Sequence, residues 1–422
     1  MKGNIMWHDY DERAGEYGVH DPAIIKDKGE YYTISTHGFY QFRHSRDLIN
    51  WTDEGKSCFD RESISRELSE GIKYCGVSVP SERNMGSPFW APDIIKIRGK
   101  YYLYYSISSF GSTQSYIGLA VSDSLMGEYK HVGAVHKSHA GAFDQPNAID
   151  PCVKFDKSGR LYLVYGSFFG GIYIKELDSS SGLAKTDALG TRIAGGQGAP
   201  IEGAYLIYNE ETDYYYLFLS YGSLADSYNV RVGRSLDILG PYLDPSGRAL
   251  TDGDWDRTGG MIIANYHFAH QSNTYTAPGH NSVLQDGKLY FLIHHTRLNG
   301  DPGPHYLNVR SLAFNQHGWP VALPARYSGE KIGRVRDEEI DGEYNVIVLK
   351  KITSRATNES SQTKISLNKN LKRKNQYIEY IYNKKTYYGV ISPIYDEGLD
   401  RETVAFSAMA DDGEAIYAIK VK

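Results

Sequence analysis

The stretch GVHDPAIIKDKGEYYTIST, residues 18–36, contains two runs of β-forming residues joined by the polar turn DKG. Val, Ile, Tyr and Thr crowd both runs, and a Gly-containing turn between two such runs is typical of a β-hairpin. A carboxylate, Asp21, stands directly before the first run, where a buried strand is expected to begin. Because an unpaired buried charge is costly, a carboxylate at this position needs a partner or a function.

The same arrangement recurs four more times along the chain. A polar residue beside Pro, Gly or Asn precedes an apolar run, a polar turn and a second run rich in Tyr, Leu and Phe in residues 89–108, 147–168, 201–221 and 278–297. The polar residues of the five stretches are Asp21, Asp93, Asp150, Glu202 and His280. Five related hairpins at intervals of roughly 50–80 residues indicate radial repetition with about four strands in each unit. The sequence therefore predicts an all-β fold whose residues 1–335 form a five-bladed β-propeller.

The character of the sequence changes after RYSGE, residues 326–330. The remainder is rich in Lys, Thr and Ser and contains short strand-like runs such as YNVIVL, QYIEYIY and TVAFSA. These runs predict a small C-terminal all-β accessory domain of barrel or sandwich type over residues 336–422. We expect it to cover propeller surface near the seam between the first and last blades and to support the chemistry rather than perform it. Helix signals are weak elsewhere, although RESISREL, residues 61–68, predicts one or two helical turns.

Composition and charge exclude several classes of protein. The 422 residues include 36 Tyr and 43 Gly, which suit strands and tight turns, and the net charge is −5. Nucleic acids and anionic membranes are not expected partners, because phosphate binding needs a concentrated basic surface. No apolar run approaches the roughly 20 residues of a membrane-spanning helix. Three Cys are too few for a disulfide framework; Cys58 and Cys75 could pair or could both be free thiols.

The first strand of each propeller blade lines the central axis, so the five polar residues are expected to converge at one end of the channel. Carboxylates brought together shift each other's pKa values, so that one holds a proton near neutral pH while another stays ionised. General acid–base catalysis requires such a pair. The alternative is that these residues only close turns, since Asp-Pro is a common turn pair. Five aligned positions favour the catalytic interpretation over the structural one.

The order of short motifs resembles that of glycoside hydrolase family 43. The motifs are HDP (20–22), WAPD (90–93), AIDP (148–151), IEG (201–203) and GHN (279–281). Two further motifs, GSFFGGI (166–172) and RYSGE (326–330), are similar to those of its endo-acting α-1,5-L-arabinanases. The C-terminal region also resembles the second β domain of the two-domain arabinanases. The resemblance implies an enzyme that hydrolyses arabinan or arabino-oligosaccharides, and we expect a monomer.

The resemblance also implies a role for each carboxylate. Asp21 is expected to be the general base, Glu202 the general acid, and Asp150 a third carboxylate that orients the acid and keeps its pKa high. Inversion at the anomeric carbon is expected on the same ground; it requires the acid and base to lie about 6.5–9.5 Å apart, which leaves room for a water. Asp93 occupies the corresponding place in the second hairpin and is expected to be structural.

A metal site is implied by the resemblance alone. His280 matches an axial His that helps to hold a calcium ion, together with waters, in the propeller channel. Calcium prefers oxygen ligands, so a single imidazole is an unusual ligand set. The alternative is a histidine that only packs in the core beside a Gly turn. The sequence contains no HExxH, CxxC or EF-hand motif that would indicate another metal.

Sugar binding needs flat apolar faces for the ring and polar groups for the hydroxyls. Trp90 precedes the second polar position and is expected to reach the cleft. The other candidates end or flank the hairpins: Phe110, Asn147, Ser167, His37 and Arg297. Core packing is the alternative for the aromatic residues, and a solvated loop tip is the alternative for His37 and Arg297.

Two other functions remain open from the sequence. The first is an exo-acting β-xylosidase or α-L-arabinofuranosidase of the same superfamily, in which one end of the groove would be closed. The second is a non-catalytic carbohydrate-binding propeller, which would not need a set of three carboxylates. The N-terminal residues MKGNIMWHDYDE lack the apolar core of a signal peptide. We expect an extracellular or periplasmic protein whose signal is absent from this chain, with a cytoplasmic location as the alternative.

Overall fold

The structure, a computed structural model, describes residues 15–36, 38–79, 87–300, 303–351, 356–366 and 370–422. Antiparallel sheets follow one another along the first three-quarters of the chain. Blade 1 contains β1 (His20–Asp27), β2 (Glu30–Thr36), β3 (Gln41–Ser45) and β4 (Trp51–Ser57). Blade 2 contains β5 (Phe89–Ile97), β6 (Lys100–Ile107), β7 (Ser115–Ser122) and β8 (Lys130–Ser138).

The remaining blades repeat this order. Blade 3 contains β9 (Cys152–Phe155), β10 (Leu161–Tyr165), β11 (Ile172–Leu177) and β12 (Thr191–Ala194). Blade 4 contains β13 (Ile201–Asn209), β14 (Tyr214–Tyr221), β15 (Asn229–Ser235) and β16 (Gly260–Ile263). Blade 5 contains β17 (Tyr266–His267), β18 (Tyr275–Asp286), β19 (Leu289–Leu298), β20 (Tyr306–Phe314) and β21 (Pro320–Ala322). Strands β1, β5, β9, β13 and β18 contact one another in a closed ring around the axis. The five-bladed propeller expected from the sequence is confirmed.

The innermost strands of blades 1, 2, 4 and 5 are interrupted near their starts. In blade 1, His20 pairs with Thr36, but the next pair is Ala23 with Ile34, so two residues bulge against one. Blades 2 and 4 contain the same register shift, between Trp90 and Asp93 and between Glu202 and Tyr205. The first bulged residue takes a positive φ, of 51° at Asp21, 30° at Ala91 and 59° at Gly203. The bulge turns the chain at the end of the channel where the polar residues were expected to converge.

The blades are joined into a ring between the first and the last. Gly18 N donates to His305 O and Leu307 N donates to Glu16 O, both across 2.9 Å. Arg326, from the RYSGE motif, forms an ion pair with Glu16. The chain therefore closes the propeller with contacts between its beginning and residues 305–326.

A second domain follows the propeller, and all of its described strands except β23 form one curled sheet. Its strands are β22 (Gly342–Leu349), β23 (Asn358–Glu359), β24 (Ser361–Ile365), β25 (Leu371–Lys374), β26 (Tyr377–Tyr382), β27 (Lys385–Asp396), β28 (Arg401–Ala410) and β29 (Ala415–Lys420). The sheet runs in the order β24-β22-β29-β28-β27-β26-β25 around its own hydrophobic core. A single curled sheet is closer to the barrel alternative than to a two-sheet sandwich. The segment 323–341, with a 3₁₀ turn at Asp337–Glu339, connects the domains and contains the predicted boundary at 335/336.

The C-terminal domain packs against blades 4 and 5. Strand β23 pairs in parallel with β17 and so extends the sheet of blade 5. The hydroxyl of Tyr417 donates to Ile262 O across 2.7 Å, and that of Ser407 donates to Ala322 O across 2.6 Å. The expected position at the seam between the first and last blades is therefore wrong. The second domain instead covers the outer strands of the two blades that immediately precede it in the chain.

Two helices lie between blades 1 and 2, where the sequence predicted only one or two turns over residues 61–68. They are α1 (Arg61–Glu67) and α2 (Ser69–Cys75). Helix α1 begins at a capping box between Asp60 and Ser63, and α2 ends at Gly76 with a φ of 65°. All three cysteines are free thiols, so Cys58 and Cys75 do not pair. Neither helix in the described part of the chain is long and apolar enough to cross a membrane.

Candidate active site

The bulged ends of the innermost strands surround a cleft of about 580 Å³. Asp21, Asp150, Glu202 and His280 all line it, so four of the five polar positions converge as expected. Residues from the loops between strands complete the wall. The lining residues are His20, Asp21, Thr36, Gly76, Val77, Ser78, Ser87, Pro88, Trp90, Ser108, Ser109, Phe110, Ile149, Asp150, Glu202, Leu224, Tyr228 and His280.

Asp93 does not occupy the same place as Asp21, and this corrects the equivalence expected from the sequence. The register of the bulges matches Asp21 with Ala91, while Asp93 comes two residues later, on the regular part of β5. Asp93 is 1% exposed, and its Oδ2 accepts a hydrogen bond from Val153 N across 2.6 Å. Its observed contact is with the neighbouring inner strand, in keeping with the structural role expected for it.

Hydrogen bonds between neighbouring blades hold the bulges in place. A hydroxyl on the second strand of one blade accepts the first bulged N–H of the next: Thr36 Oγ1 binds Ala91 N at 2.7 Å, and Ser106 Oγ binds Asp150 N at 3.1 Å. Ser220 Oγ binds His280 N at 2.9 Å in the same manner. These contacts satisfy N–H groups that the bulges remove from the strand ladders.

Asp150 replaces the hydroxyl that blade 3 lacks. The register of β9 and β10 places Gly166 at the position of Thr36 and Ser106, and glycine has no side chain to accept a hydrogen bond. The carboxylate of Asp150 takes this role, since its Oδ2 accepts from Gly203 N across 3.0 Å. Asp150 is therefore hydrogen-bonded to the backbone of Gly203, the residue that directly follows Glu202.

Asp21 lies among three imidazoles and a hydroxyl. Thr36 Oγ1 donates to its Oδ2 across 2.6 Å, while His20 Nε2 and His280 Nδ1 each lie 3.3 Å from its Oδ1. Its backbone N–H donates to Nδ1 of His295 across 3.2 Å, which closes the series of contacts between blades. Burial, together with the neighbouring His305, His20 and His280, lowers the pKa of His295 well below its usual value. A neutral His295 is what this hydrogen bond requires, because Nδ1 must accept.

The cleft raises the pKa values of two carboxyl groups. Burial, then the charges of Asp150 and Asp21, raises the pKa of Glu202 well above its ordinary value. Burial also raises the pKa of Asp150, to about 6, with His280 opposing and Asp21 reinforcing the shift. His280 and the N–H of Gly203 oppose the shift at Asp150, whereas burial and both neighbouring charges all act to raise the pKa of Glu202, so Glu202 holds its proton more firmly. This arrangement suits Glu202 for proton donation and leaves a carboxylate for proton acceptance.

The candidate sugar-binding residues fall into two groups. Trp90 and Phe110 line the cleft; the indole N–H of Trp90 donates to Ser87 O across 2.8 Å, and Phe110 is 93% exposed. Asn147, Ser167 and Arg297 are not among the lining residues and are all buried. His37 lies outside the described residues.

Two residues of the second group support loops. The side chain of Asn147 connects Ser138 Oγ with Ser112 O, and Arg297 Nε donates to Leu224 O across 3.4 Å. Arg297 therefore lies behind a loop that lines the cleft instead of at a solvated tip. A role of Asn147, Ser167, His37 or Arg297 in sugar binding stays a prediction.

The side chains near His280 could hold a calcium ion only if water molecules supplied most of its ligands. His280 offers one nitrogen, and the carboxylate nearest to it is that of Asp21. A separate cluster of His20, His295 and His305 brings three imidazole nitrogens within 4.8 Å of one another. Nitrogen donors suit transition metals, whereas calcium prefers oxygen.

Several lining residues were not identified from the sequence. Tyr228 lies beside Glu202, its hydroxyl forming a hydrogen bond to Oε1 of that carboxyl group, and Thr36 contacts Asp21. Gly76, Val77 and Ser78 reach the cleft because α2 ends there. The residues supplied by loops carry no repeated pattern in the sequence. Thr36 does have a signal, because a hydroxyl residue stands near the end of the Tyr-rich run in three hairpins, at Thr36, Ser106 and Ser220.

Comparisons with known proteins agree with this geometry. Residues 15–320 match the family "Glycosyl hydrolases family 43", and residues 324–418 match a "C-terminal lipocalin-like domain" of that family. The chain is 36% identical to the extracellular endo-alpha-(1->5)-L-arabinanase of Thermotoga petrophila, covering 96% of this chain and 94% of the relative. It is 33% identical to extracellular endo-alpha-(1->5)-L-arabinanase 2 of Bacillus subtilis, covering 96% and 93%.

The similarity extends to the whole three-dimensional structure. The crystal structure of endo-1,5-alpha-L-arabinanase from Thermotoga petrophila superposes with a TM-score of 0.89 at 33% identity. The superposition covers 96% of this chain and 99% of the other, so it includes both domains. Together with the paired carboxyl groups in the cleft, the sequence match over the propeller shows that the chain belongs to glycosyl hydrolase family 43.

Proposed function

We propose that this protein hydrolyses internal α-1,5-L-arabinofuranosyl linkages in arabinan. One observation carries the proposal: Glu202, Asp150 and Asp21 line one cleft together with aromatic rings, and burial and the charges of the other two carboxyl groups raise the pKa of Glu202 well above its ordinary value. The names of the relatives that align with both domains support arabinan as the substrate. Trp90 and Phe110 offer flat apolar faces for arabinofuranosyl rings.

The proposed mechanism assigns one proton transfer to each of two residues. Glu202 donates its proton to the glycosidic oxygen as the bond to the anomeric carbon breaks. Asp21 accepts a proton from a water that attacks the opposite face of the sugar, which inverts the anomeric configuration. Burial keeps the proton on Glu202 by raising its pKa, and the charge of Asp150 adds to this effect.

The reaction can be tested with linear 1,5-arabinan, wild-type protein and the variant Glu202→Gln. An endo-acting enzyme releases a mixture of oligosaccharides from the start and lowers viscosity quickly, whereas an exo-acting enzyme releases small products of one size. We expect the mixture from the wild type and a rate about 10²–10⁴-fold lower from the variant. The loss should be smaller on an aryl arabinofuranoside with a good leaving group, which needs little protonation. Inactivity of the wild type on arabinan, or a fully active variant, would contradict the proposal.

We also propose that His280 holds a calcium ion through one nitrogen, with water as the remaining ligands. When bound, the ion would place positive charge beside the catalytic carboxylates. A ligand that binds only the native state stabilises that state, so the melting temperature reports whether calcium is bound. We expect a chelator to lower the melting temperature of the wild type and added calcium to restore it. The variant His280→Ala should respond to neither, and an unchanged wild-type melting temperature would contradict the proposal.

We propose further that the protein acts outside the cell as a monomer. Both relatives compared above are named as extracellular, and a polymeric substrate would be met there. Cell fractionation tests the location, and light scattering of purified protein tests the oligomeric state. Recovery from the cytoplasm alone, or a stable dimer, would contradict these two proposals.

A further inference from the structure

Tyr228 makes a hydrogen bond to the group that donates the proton. Its hydroxyl donates to Oε1 of Glu202, and it also lines the cleft. The ring is 1% exposed, so it is fixed by packing rather than free to turn in solvent. No motif in the sequence draws attention to this residue.

Residues of blades 4 and 5 together fix the position of the Tyr228 ring. The residue that precedes the bulged position is His20, Trp90, Ile149 or Glu202 in blades 1–4, and all four line the cleft. In blade 5 the corresponding residue is Gly279, which has no side chain that could line the cleft. A Cβ at Gly279 would lie 2.3 Å from Cδ2 of Tyr228, so the ring of Tyr228 fills the space that the missing side chain leaves.

Further contacts hold the tyrosine from the other sides. Its ring stacks on His295, with centroids 5.8 Å apart and planes 22° apart. Its backbone N–H donates to Ser223 O across 2.9 Å, which closes the turn between β14 and β15. The side chain is thus held by blade 5 on one side and by its own turn on the other.

We propose that Tyr228 is a positioning residue for the general acid and selects which oxygen of Glu202 carries the catalytic proton. A neutral carboxyl group has one carbonyl oxygen, which accepts, and one hydroxyl oxygen, which donates. Because Tyr228 donates to Oε1, Oε1 is the carbonyl oxygen and Oε2 carries the proton. The proton on Oε2 moves to the leaving oxygen, and the carboxylate that forms keeps the hydrogen bond from Tyr228. This inference rests on the proposed role of Glu202 as the acid.

The variant Tyr228→Phe keeps the ring and removes the hydroxyl. We expect kcat on arabinan to fall between about 10-fold and 10²-fold, the range for a misplaced catalytic group, with KM little changed. An aryl arabinofuranoside with a good leaving group should be hydrolysed at close to the wild-type rate. Tyr221→Phe is the matched control, since Tyr221 is a buried tyrosine of the same blade whose hydroxyl contacts Thr258 instead. Equal losses on both substrates, or none on arabinan, would overturn the inference.

A second measurement does not depend on the identity of the substrate. In crystal structures of the wild type and Tyr228→Phe, we expect the Glu202 carboxyl group to take different orientations. The same orientation in both would overturn the inference, whatever glycan the enzyme cleaves. Inactivity of the wild type on arabinan would instead count against the proposed function, so the two failures are distinguishable. Gly279→Ala should reproduce the effect of Tyr228→Phe on arabinan, because its new methyl group displaces the ring.

Discussion

Asp150 Oδ2 accepts a hydrogen bond from the backbone N–H of Gly203, the residue that follows Glu202, across 3.0 Å. One carboxylate thus performs two functions. It holds the backbone beside Glu202, the proposed general acid, and its charge adds to the effect of burial in raising the pKa of that carboxyl group. The absence of a side chain at Gly166 is what makes the first function necessary.

The variant Asp150→Asn separates these two functions. The amide oxygen can still accept from Gly203 N, but the charge that raises the pKa of Glu202 is lost. An acid with a lower pKa loses its proton at lower pH, so the alkaline side of the pH profile of kcat/KM should move toward lower pH. Asp213→Asn is the control, since Asp213 lies in an exposed turn where its carboxylate contacts Lys157 and Tyr208. An unchanged alkaline side in Asp150→Asn would contradict the proposed role of its charge.

Replacing Asp21, the proposed general base, should allow a small anion to act in place of the activated water. Asp21→Ala removes the group that activates water and leaves space near Thr36, so we expect activity on an aryl arabinofuranoside to fall severely. Azide needs no deprotonation and should restore part of the turnover, giving an arabinosyl azide of inverted configuration. Proton NMR identifies that product. Azide should not accelerate the wild type, and a retained configuration would contradict the assignment of Asp21 as base.

Thr36→Val tests the contacts between the bulges. The change removes the donor to Asp21 Oδ2 and the acceptor for Ala91 N, and a buried unsatisfied group costs about 1–3 kcal/mol. We expect both the free energy of unfolding and kcat/KM to decrease. Thr33→Val is a close control on the same strand, because the buried hydroxyl of Thr33 has no hydrogen-bond partner among the described residues. That control should be neutral or stabilising; equal effects of the two variants would contradict a special role for Thr36.

The contact between the domains should contribute to stability and not to chemistry. Tyr417→Phe removes the hydrogen bond to Ile262 O, which typically contributes about 0.5–1.5 kcal/mol. We expect a lower melting temperature with kcat/KM on arabinan unchanged. Tyr382→Phe, whose hydroxyl contacts Ser361 within the C-terminal domain, should affect the melting temperature less. A large loss of activity in Tyr417→Phe, with the fold intact, would mean that the second domain acts on the cleft.

The repeated hairpins were visible in the sequence because polar residues, turns and Tyr-rich runs follow the strand order of a blade. The exact position of each polar residue within its blade was not visible. Asp93 follows a Pro as closely as Asp21 precedes one, but the β-bulge places Ala91 at the turning point of blade 2. A bulge depends on backbone register, which a single sequence does not specify.

Residues supplied by loops were the hardest to predict. Tyr228 reaches Glu202 only because Gly279, far away in the chain, leaves room for its ring. The docking surface of the C-terminal domain differs from the expected one for a similar reason, because it includes blade 5 together with blade 4 instead of blade 1. The strand β23 that extends blade 5 is only two residues long and carries no recognisable pattern.

The stereochemistry of the first product tests the central claim most directly. Linear 1,5-arabinan is incubated with the enzyme, and the anomeric protons of the released reducing ends are followed by NMR before mutarotation. The proposed roles of Glu202 as acid and Asp21 as base predict that the β-anomer appears first, at the ends of a mixture of oligosaccharides. Initial release of the α-anomer would contradict the account, because it would mean that the configuration is retained and that a carboxylate attacks the sugar directly.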